Sequence, residues 1–486
     1  MIKSTYNSIH PINNGNYILI NSLSGAVDVV DGLVKERLDR IEQTNLQRDN
    51  QDEVELLTFF KKRGYIFHSL AEEQQILFKV KDAMEKMTAK SKWGMTFNVC
   101  TTYACNLRCP YCYQGHQIHD HNHALDSDEI TKMFEAITQI IKMEENRGRF
   151  IGAQHRMVLY GGEPLLPQTK NTVKEVVERA VNEYGFRMCA ITNGTFLHQF
   201  LDIFQPYRDQ WDFFQISLDG PKAVHDKRRI MAGGQGTFDR IVQNIDMALE
   251  RGFAVATRTN VNKENLGHLV ELANFIEQKG WNKFPHFGWQ VTPVTNHFSE
   301  PMPDHLPEHE LLIALYEMFG DLDSFIDKYN ARLGSVINMR TSRIRNTIRS
   351  FDWSRMDDMD ACTSSGVTSV PHFKECSARE QRFYSFGTEG LIYACPDSVG
   401  RAETAVGSFS PKYELNSEAH QQWDRGITDS KECTECSISL FCGGGCAYAN
   451  LMRNGDITKP YCNYANETID VYIKHNKHLF EELGTV

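Results

Sequence analysis

Three cysteines that lie close together in the chain carry its most specific chemistry. Cys105, Cys109 and Cys112 are spaced C-x3-C-x2-C in the segment TTYACNLRCPYCYQG. Iron–sulfur clusters are normally held by four cysteine thiolates, so three thiolates leave one iron of a four-iron cluster without a protein ligand. The spacing therefore predicts a [4Fe–4S] cluster that binds another molecule at its open iron. A structural zinc ion or a disulfide pair is the alternative, and the motifs that follow count against both.

With Tyr111 directly before the third cysteine, this segment resembles the signature of the radical S-adenosylmethionine (SAM) superfamily. The resemblance implies that the open iron chelates the amino and carboxylate groups of SAM. It also implies that an electron from the cluster cleaves SAM, and that the 5′-deoxyadenosyl radical so released abstracts hydrogen from a substrate. Cys105, Cys109 and Cys112 are then the catalytic and metal-binding residues.

Polar motifs follow three of the predicted strands. Two glycines, Gly161 and Gly162, let the backbone approach a ligand closely, and the Glu163 carboxylate could bind an ammonium group. Two pairs of polar residues follow later strands, and they could reach ribose hydroxyls and the SAM carboxylate. Plain turn chemistry explains each pair equally well when it is taken alone. Behind a cysteine triad, all of these motifs resemble the SAM-contacting motifs of the superfamily. The later pairs are Thr192 with Asn193 and Ser217 with Asp219.

Two arginines are candidates for the SAM carboxylate. Arg229 ends the run His225-Asp226-x2-Arg229, and Arg258 lies in the next predicted strand. A guanidinium can bind a carboxylate with two parallel hydrogen bonds. A solvated or salt-bridged arginine is the alternative for each, and Arg229 is the one we assign to the cofactor site.

A second set of cysteines lies near the C-terminus. Its pattern is C-x13-G-x4-C, then C-x2-C-x5-C-x3-C after a gap, then one more cysteine, and it resembles the SPASM domain with its two auxiliary four-iron clusters. A zinc ribbon is the alternative, because C-x2-C pairs also suit zinc. The residues are Cys376, Gly390, Cys395, Cys433, Cys436, Cys442, Cys446 and Cys462.

The SPASM resemblance implies how these ligands are shared. One cluster would be held by four cysteines, namely Cys433, Cys436, Cys442 and Cys462. The other would be held by Cys376, Cys395 and Cys446, with either Cys362 or an open iron in the fourth place. The predicted cofactors are therefore SAM and three [4Fe–4S] clusters.

The remaining cysteines and a histidine tract have simpler interpretations. Cys100 and Cys189 fall on predicted strands and read as small core residues. Four histidines follow the triad, where a polar loop is favoured over a metal-binding tract because no second ligand set accompanies them. They are His116, His119, His121 and His123.

The elements that must position these residues fall into three zones. In residues 1–90 the sequence pattern predicts strands at 17–21 and 26–30 and helices near 54–63 and 70–88. These elements indicate a small winged-helix-like α+β domain. Residues 91–350 alternate about six strands with helices, which indicates a parallel sheet and an α/β fold. Residues 351–486 form a loop-rich region that we expect to depend on metal for its order.

The resemblance makes the middle zone a partial (β/α)6 barrel of the TIM type. Strands are predicted at 95–100, 156–160, 187–191, 212–218, 254–260 and 284–291. Catalytic residues of such barrels lie at the C-terminal ends of the strands. The cysteine triad directly follows the first of these strands, as that rule requires.

Composition excludes several other classes. The 486 residues contain 13 cysteines and carry a net charge of −11. The chain contains no apolar run long enough for a bilayer and no signal peptide, so we predict a cytoplasmic protein without a membrane partner. Cysteines in that compartment favour metal over disulfides. The absence of a basic run argues against nucleic acid as a partner.

Both cysteine patterns together resemble the radical SAM/SPASM enzymes, most closely the maturases of ribosomally made peptides. The resemblance implies that residues 1–90 bind the leader of a precursor peptide by strand addition. It also implies thioether or carbon–carbon cross-linking, and a flavodoxin- or ferredoxin-type protein as reductant.

Two alternatives stay open. An anaerobic sulfatase-maturating enzyme forms formylglycine, and it carries an aspartate directly after the second cysteine of the C-x13-G-x4-C unit. Here Pro396 follows Cys395 and the aspartate is Asp397, and about ninety residues precede the barrel, so both departures count against this alternative. A non-catalytic electron-transfer protein explains the C-terminal cysteines but not the triad.

Overall fold

The structure is a computed structural model. It describes the chain except for residues 43–50, 116–121, 296–301, 303, 335–343, 345–370, 463, 484 and 486. At the N-terminus, β1 (Ile2–Lys3), β2 (Asn7–Pro11), β3 (Tyr17–Asn21) and β4 (Ala26–Val30) precede α1 (Gly32–Asp39) and α2 (Gln51–Arg63). They are followed by β5 (Ile66–Phe67) and α3 (Leu70–Ala89). Strands β2, β3 and β4 form an antiparallel sheet in that order, and β1 pairs with β5.

Local signals explain the boundaries of these N-terminal helices. Asp31 caps α1 by accepting hydrogen bonds from the amides of Leu33 and Val34. Gly64 ends α2 with a φ of 78°, a conformation that favours glycine. Ser69 caps α3 through the amide of Glu72. The strands at 17–21 and 26–30 and both predicted helices are confirmed, whereas β2 and α1 were not predicted.

The middle zone is a curved sheet of parallel strands connected through helices. Its strands are β6 (Trp93–Cys100), β7 (Gln154–Tyr160), β8 (Arg187–Thr192), β9 (Trp211–Ser217), β10 (Val255–Val261), β11 (Phe287–Pro293) and β12 (Ala331–Leu333). Its helices are α4 (Ser127–Asn146), α5 (Lys170–Asn182), α6 (Leu201–Phe204), α7 (Lys222–Arg228), α8 (Phe238–Glu250), α9 (Leu269–Lys279), α10 (Glu308–Phe319) and α11 (Leu322–Tyr329). The strands lie side by side in chain order, so the predicted α/β partial barrel is confirmed.

The helices of this zone cover the outside of the sheet with apolar side chains. Helix α4 begins with a capping box between Asp126 and Glu129, which satisfies amide groups that a helix start leaves free. It then buries Ile130, Phe134 and Ile137 against the strands. The C-terminal ends of the strands are left open, and the candidate site residues lie there.

The C-terminal zone continues the same sheet. Strand β13 (Phe383–Phe386) pairs in parallel with β6, and β14 (Leu391–Tyr393), β15 (Gly407–Ser408) and β16 (Glu414–Leu415) follow as antiparallel neighbours. The sheet therefore has 11 strands and extends past the zone boundary expected near residue 350. The C-terminal helices are α12 (Ser417–Gln421), α13 (Lys431–Thr434), α14 (Ser439–Cys442), α15 (Ala447–Asn454), α16 (Ala465–His475) and α17 (Lys477–Glu481).

The N-terminal sheet is packed into the rest of the protein. The Tyr6 hydroxyl donates a hydrogen bond to the carbonyl of Thr434 at 3.3 Å, and the Ser22 hydroxyl donates to the carbonyl of Ser437 at 3.0 Å. Tyr6 also shares an apolar cluster with Cys433. The N-terminal zone thus covers part of the C-terminal cysteine region. Among the described residues, no helix has the length and apolarity needed to span a membrane.

Candidate active site

The triad loop leaves β6 and is fixed against the end of β7. The amides of Gly162 and Glu163 donate to the carbonyls of Thr102 and Ala104 at 3.0 and 2.8 Å. A Cβ on Gly162 would lie 2.1 Å from the carbonyl oxygen of Tyr103, so only glycine allows this approach. The two glycines of this motif therefore hold the triad loop in place.

Glu163 joins the ends of two neighbouring strands. It is 1% exposed, and one carboxylate oxygen accepts from the Thr192 hydroxyl at 2.5 Å and from the Leu165 amide at 2.9 Å. The other oxygen accepts from the Asn193 amide at 2.6 Å. Burial raises the pKa of Glu163, and these hydrogen bonds oppose the rise. Both oxygens are engaged within the protein, so Glu163 orients the end of β8.

Asn193 extends this network to the triad. Its side-chain amide donates to the Asn106 side chain at 2.8 Å, and Asn106 directly follows Cys105. Asn106 in turn donates to the Thr195 hydroxyl at 3.0 Å. The motifs after β7 and β8 are thereby tied to the loop that carries the cysteines.

Tyr111 connects the triad loop to the end of β9. Its hydroxyl donates to Asp219, which is fully buried, and accepts from Arg229 at 2.9 Å. The guanidinium of Arg228 lies 4.8 Å from the centre of the Tyr111 ring. The Asp219 carboxylate also accepts from the Asn260 amide at 3.1 Å. Arg228 was not predicted, although it lies next to a predicted residue.

Arg229 is the cation that faces the triad. Burial is the largest influence on the pKa of each triad thiol and raises it, to about 12 for Cys105. The charge of Arg229 opposes the rise at Cys105, Cys109 and Cys112. One Arg229 nitrogen, Nε, is buried and has no hydrogen-bond partner among the described residues. An anionic cluster with a SAM carboxylate would fit this unpaired donor, so the residues present fit the predicted group.

The structure brings together Tyr113, Arg258 and Asp397, which the sequence analysis did not place near one another. The charge of Asp397 raises the pKa of Tyr113 and acts on Arg258, after the larger effect of burial at each. The charges of Cys112 and Cys395 also raise the pKa of Tyr113. These residues come from the triad loop, β10 and the C-terminal zone, so no local sequence pattern brings them together.

The C-terminal cysteines form two groups in space. Beyond the rise due to burial, Cys376 and Cys446 raise the pKa of Cys395, and Cys436 and Cys462 raise that of Cys433. Like charges act this way only at short range. The sharing of ligands between two clusters, including the place of Cys442, stays a prediction.

Three consecutive glycines separate the two groups. Gly443, Gly444 and Gly445 have φ values of 71°, 85° and 71°, a region that L-residues avoid. A Cβ on Gly445 would lie 1.9 Å from the carbonyl oxygen of Tyr461, which precedes Cys462. The glycines therefore allow the tight turn between Cys442 and Cys446 to pack against the segment before Cys462.

The other predicted residues have simple outcomes. Ser217 is half-buried at the end of β9, and Cys100 and Cys189 are buried as predicted. His123 pairs with Glu129 at 2.9 Å on the surface. Cys362, His116, His119 and His121 lie outside the described residues. No three His, Cys, Asp or Glu side chains in the described ranges form a compact set for a single metal ion.

Comparisons with known proteins agree with this geometry. Residues 99–276 match the radical SAM superfamily. A cysteine-type anaerobic sulfatase-maturating enzyme of Clostridium novyi is 26% identical over 389 residues, 78% of this chain and 92% of its own. Among solved structures, anSMEcpe with bound AdoMet has a TM-score of 0.57 at 14% identity, covering 80% of this chain and 98% of its own.

A second solved structure extends over more of the chain. Streptococcus suis SuiB bound to the precursor peptide SuiA has a TM-score of 0.53 at 13% identity. The match covers 94% of this chain and 98% of SuiB.

The fold and site define an α/β partial-barrel enzyme with a three-cysteine loop at the open end of its strands. Residues 99–276 form a radical SAM domain, and the chain is similar in sequence to a sulfatase-maturating enzyme. The radical SAM fold implies SAM and one [4Fe–4S] cluster as cofactors. The predicted resemblance to the radical SAM/SPASM enzymes is confirmed at the level of the fold.

Proposed function

We propose that the protein is a peptide maturase that abstracts hydrogen from a ribosomally made precursor and forms a thioether or carbon–carbon cross-link. The N-terminal sheet carries this proposal. The fold likeness to SuiB includes most of the chain, at 94%, whereas the likeness to anSMEcpe stops at 80%. A domain of about ninety residues ahead of the barrel therefore has a counterpart in an enzyme whose structure holds a precursor peptide.

The leader peptide would bind by adding a strand to β4, next to α2. Strand addition supplies affinity through backbone hydrogen bonds. Arg63 of α2 donates to Asp28 of β4 at 2.7 Å, so helix and strand edge are joined. Val29 of β4 forms a parallel bridge with Thr485. A leader at this edge would have to displace that contact.

The cluster and SAM, when bound, supply hydrogen abstraction by a 5′-deoxyadenosyl radical. Cys105, Cys109 and Cys112 would hold the cluster, and Arg229 would hold the SAM carboxylate beside it. Tyr113 and Asp397, which lie near Cys395, would contact the peptide side chain at the barrel opening. A cross-link removes two hydrogens from the peptide, and the C-terminal cysteines would hold two more clusters that accept the second electron. A flavodoxin- or ferredoxin-type protein would supply the first.

Formylglycine formation is the second candidate, and Asp397 favours it. A cysteine or serine substrate must lose the proton of its thiol or hydroxyl, and a carboxylate at the opening can accept it. The sequence relationship to the Clostridium novyi enzyme also supports this reaction. The aspartate stands one residue later than the sulfatase-maturase pattern, after Pro396.

The test compares substrates and one surface variant. The anaerobically reconstituted enzyme is given the product of any short open reading frame found beside its gene, with and without its leader, and a short sulfatase-type cysteine peptide. Cross-linking removes two hydrogens and leaves no aldehyde, whereas formylglycine is trapped by hydroxylamine. Trapping on the short peptide, with no change in the precursor, would favour the second candidate.

The leader role is tested by Val54→Glu on α2, where Val54 is 41% exposed. We expect a raised KM for the full precursor and an unchanged rate of uncoupled SAM cleavage. Val270→Glu on α9 is the matched control, since Val270 is equally exposed at 40%. Deleting residues 1–90 is a poorer test, because Tyr6 and Ser22 cover the Cys433 region. An unchanged KM for Val54→Glu would contradict leader binding at this face.

A further inference from the structure

Arg379 is a buried arginine in the loop after Cys376. Its residue surface is 2% exposed. One terminal nitrogen donates to the carbonyl oxygen of Arg425 at 3.2 Å. Nε and the other terminal nitrogen have no hydrogen-bond partner within the part of the chain that the structure describes. The side chain therefore has two unused donors inside the protein.

The position of Arg379 links the two cysteine groups. Cys376 begins the loop that carries Arg379. The segment that Arg379 reaches, at Arg425, leads through Ile427 into α13, and Ile427 packs in one apolar cluster with Cys433. The guanidinium thus extends from the loop of one cysteine group to the segment that carries the other.

A buried guanidinium without an anion is costly. Taking an ion out of water is unfavourable unless a partner charge compensates for it. Across the described ranges, Arg379 forms no ion pair with a carboxylate. Glu375 is also buried, but it is not paired with Arg379. Besides Glu375, the anionic groups that Arg379 could meet are cysteine thiolates, since Arg379 lies three residues after Cys376 and its partner Arg425 lies eight residues before Cys433.

We propose that Arg379 is a positioning residue shared by both auxiliary iron–sulfur sites, donating N–H···S hydrogen bonds to sulfurs of each and raising both reduction potentials. The inference rests on the auxiliary clusters of the proposed function. Charge and hydrogen bonds to the sulfurs are among the factors that set cluster potentials. A cation between two anionic clusters stabilises the reduced form of each, because reduction adds negative charge. The second electron of the reaction would be accepted more readily as a result.

The experiment uses the full-length enzyme after anaerobic reconstitution, with Arg379→Gln, Arg379→Lys and the control Arg382→Gln. Arg382 lies on the same loop, but it pairs with Glu380 at 3.6 Å and donates to the carbonyl of Gly94 at 3.1 Å. The readouts are the iron content and the midpoint potentials of the clusters. The potentials are measured by electron paramagnetic resonance during a redox titration.

We expect Arg379→Gln to shift both auxiliary potentials to more negative values and to leave the SAM-binding cluster unchanged. Arg379→Lys should restore most of the shift because it keeps the charge. Iron loss in the Gln variant but not in the Lys variant would also support the proposal, since charge then decides whether the clusters bind.

Three outcomes would overturn it. These are unchanged potentials with full iron, a shift at one cluster only, and equal iron loss in both variants, which would indicate a packing role. About four irons in the wild-type protein would instead contradict the auxiliary clusters themselves. The failure of this inference is thereby distinguished from the failure of the cluster assignment.

Discussion

The hydroxyl of Tyr111 in the triad loop donates a hydrogen bond to the buried carboxylate of Asp219 after β9. The same hydroxyl accepts from Arg229. One side chain between two cysteines thus fixes the position of a carboxylate and a guanidinium that come from the far side of the barrel. This contact aligns the cofactor loop with the strand ends.

Breaking this contact should produce a coupled loss of stability. Tyr111→Phe keeps the ring beneath Arg228 and removes the hydroxyl, which leaves Asp219 and Arg229 each without one partner, at about 1–3 kcal/mol for a buried group. Asp219→Asn removes the charge at the other end. We expect the double variant to lose less than the sum of the single losses, because the residues share one interaction. Unfolding midpoints measure this, and additive losses would contradict the coupling.

The triad should be required for SAM cleavage but not for iron binding by the C-terminal cysteines. Replacing Cys105, Cys109 and Cys112 with alanine removes the thiolates that hold the SAM-binding cluster. The variant should retain the iron of roughly two clusters and form no 5′-deoxyadenosine under reducing, anaerobic conditions. Iron analysis and chromatography of the nucleoside products measure both. Turnover of SAM by the variant would refute the assigned role of the triad.

Much of the fold could be predicted because it depends on local patterns. The strand predicted at 187–191 reads as a short apolar run and lies in β8, and the strand predicted at 254–260 lies in β10. Strand β2 was missed because its sequence, NSIHP, is polar and ends in proline. Helix α1 was missed because half of its residues are charged. Both elements form through contacts with the rest of the domain.

The candidate site could be predicted by residue type but not by contact. Glu163 was predicted as a ligand for an ammonium group, yet its oxygens are taken by Thr192 and Asn193 from the next strand. Arg379 carried no signal, because its partner Arg425 is distant in sequence. Spacing identifies ligands that are neighbours in the chain, whereas tertiary contacts decide which donors remain free.

The C-terminal cysteines should bind iron in preference to zinc. Thiolates suit either metal, so the metal content decides. We expect about twelve irons per chain after anaerobic reconstitution, from three four-iron clusters. About four irons with stoichiometric zinc would contradict the prediction. Elemental analysis of protein that has never been exposed to oxygen provides the measurement.

Acid should weaken the fold through buried neutral histidines. Burial lowers the pKa of His155, His225 and His420 to about 4 from 6.5. Below pH 6.5 the unfolded chain binds protons at these histidines, whereas the folded chain keeps them neutral. The stability that the neutral histidines allow is therefore fully present above pH 6.5 and is lost as the pH falls toward 4. The loss is roughly 3 kcal/mol at most for each histidine.

Unfolding midpoints across this pH range test the prediction with two variants. His155→Gln should flatten the dependence, because His155 accepts the Met95 amide at 2.9 Å only when neutral. His123→Gln changes an exposed histidine and should leave the dependence as it is. A wild-type midpoint that does not change between pH 7 and 5 would be inconsistent with neutral buried histidines.

The glycine triplet should be necessary for the auxiliary clusters. A Cβ at Gly445 would overlap the Tyr461 carbonyl oxygen at 1.9 Å, so Gly445→Ala must push apart the segments that carry Cys446 and Cys462. We expect this variant to lose auxiliary iron while it retains the SAM-binding cluster and uncoupled SAM cleavage. Gly455→Ala is the matched control, since Gly455 has a φ of 70° but no atom within 4 Å of its Cβ position. That control should lose only about 1 kcal/mol of stability from backbone strain. Full iron content in Gly445→Ala would show that the two cysteine groups do not depend on this turn.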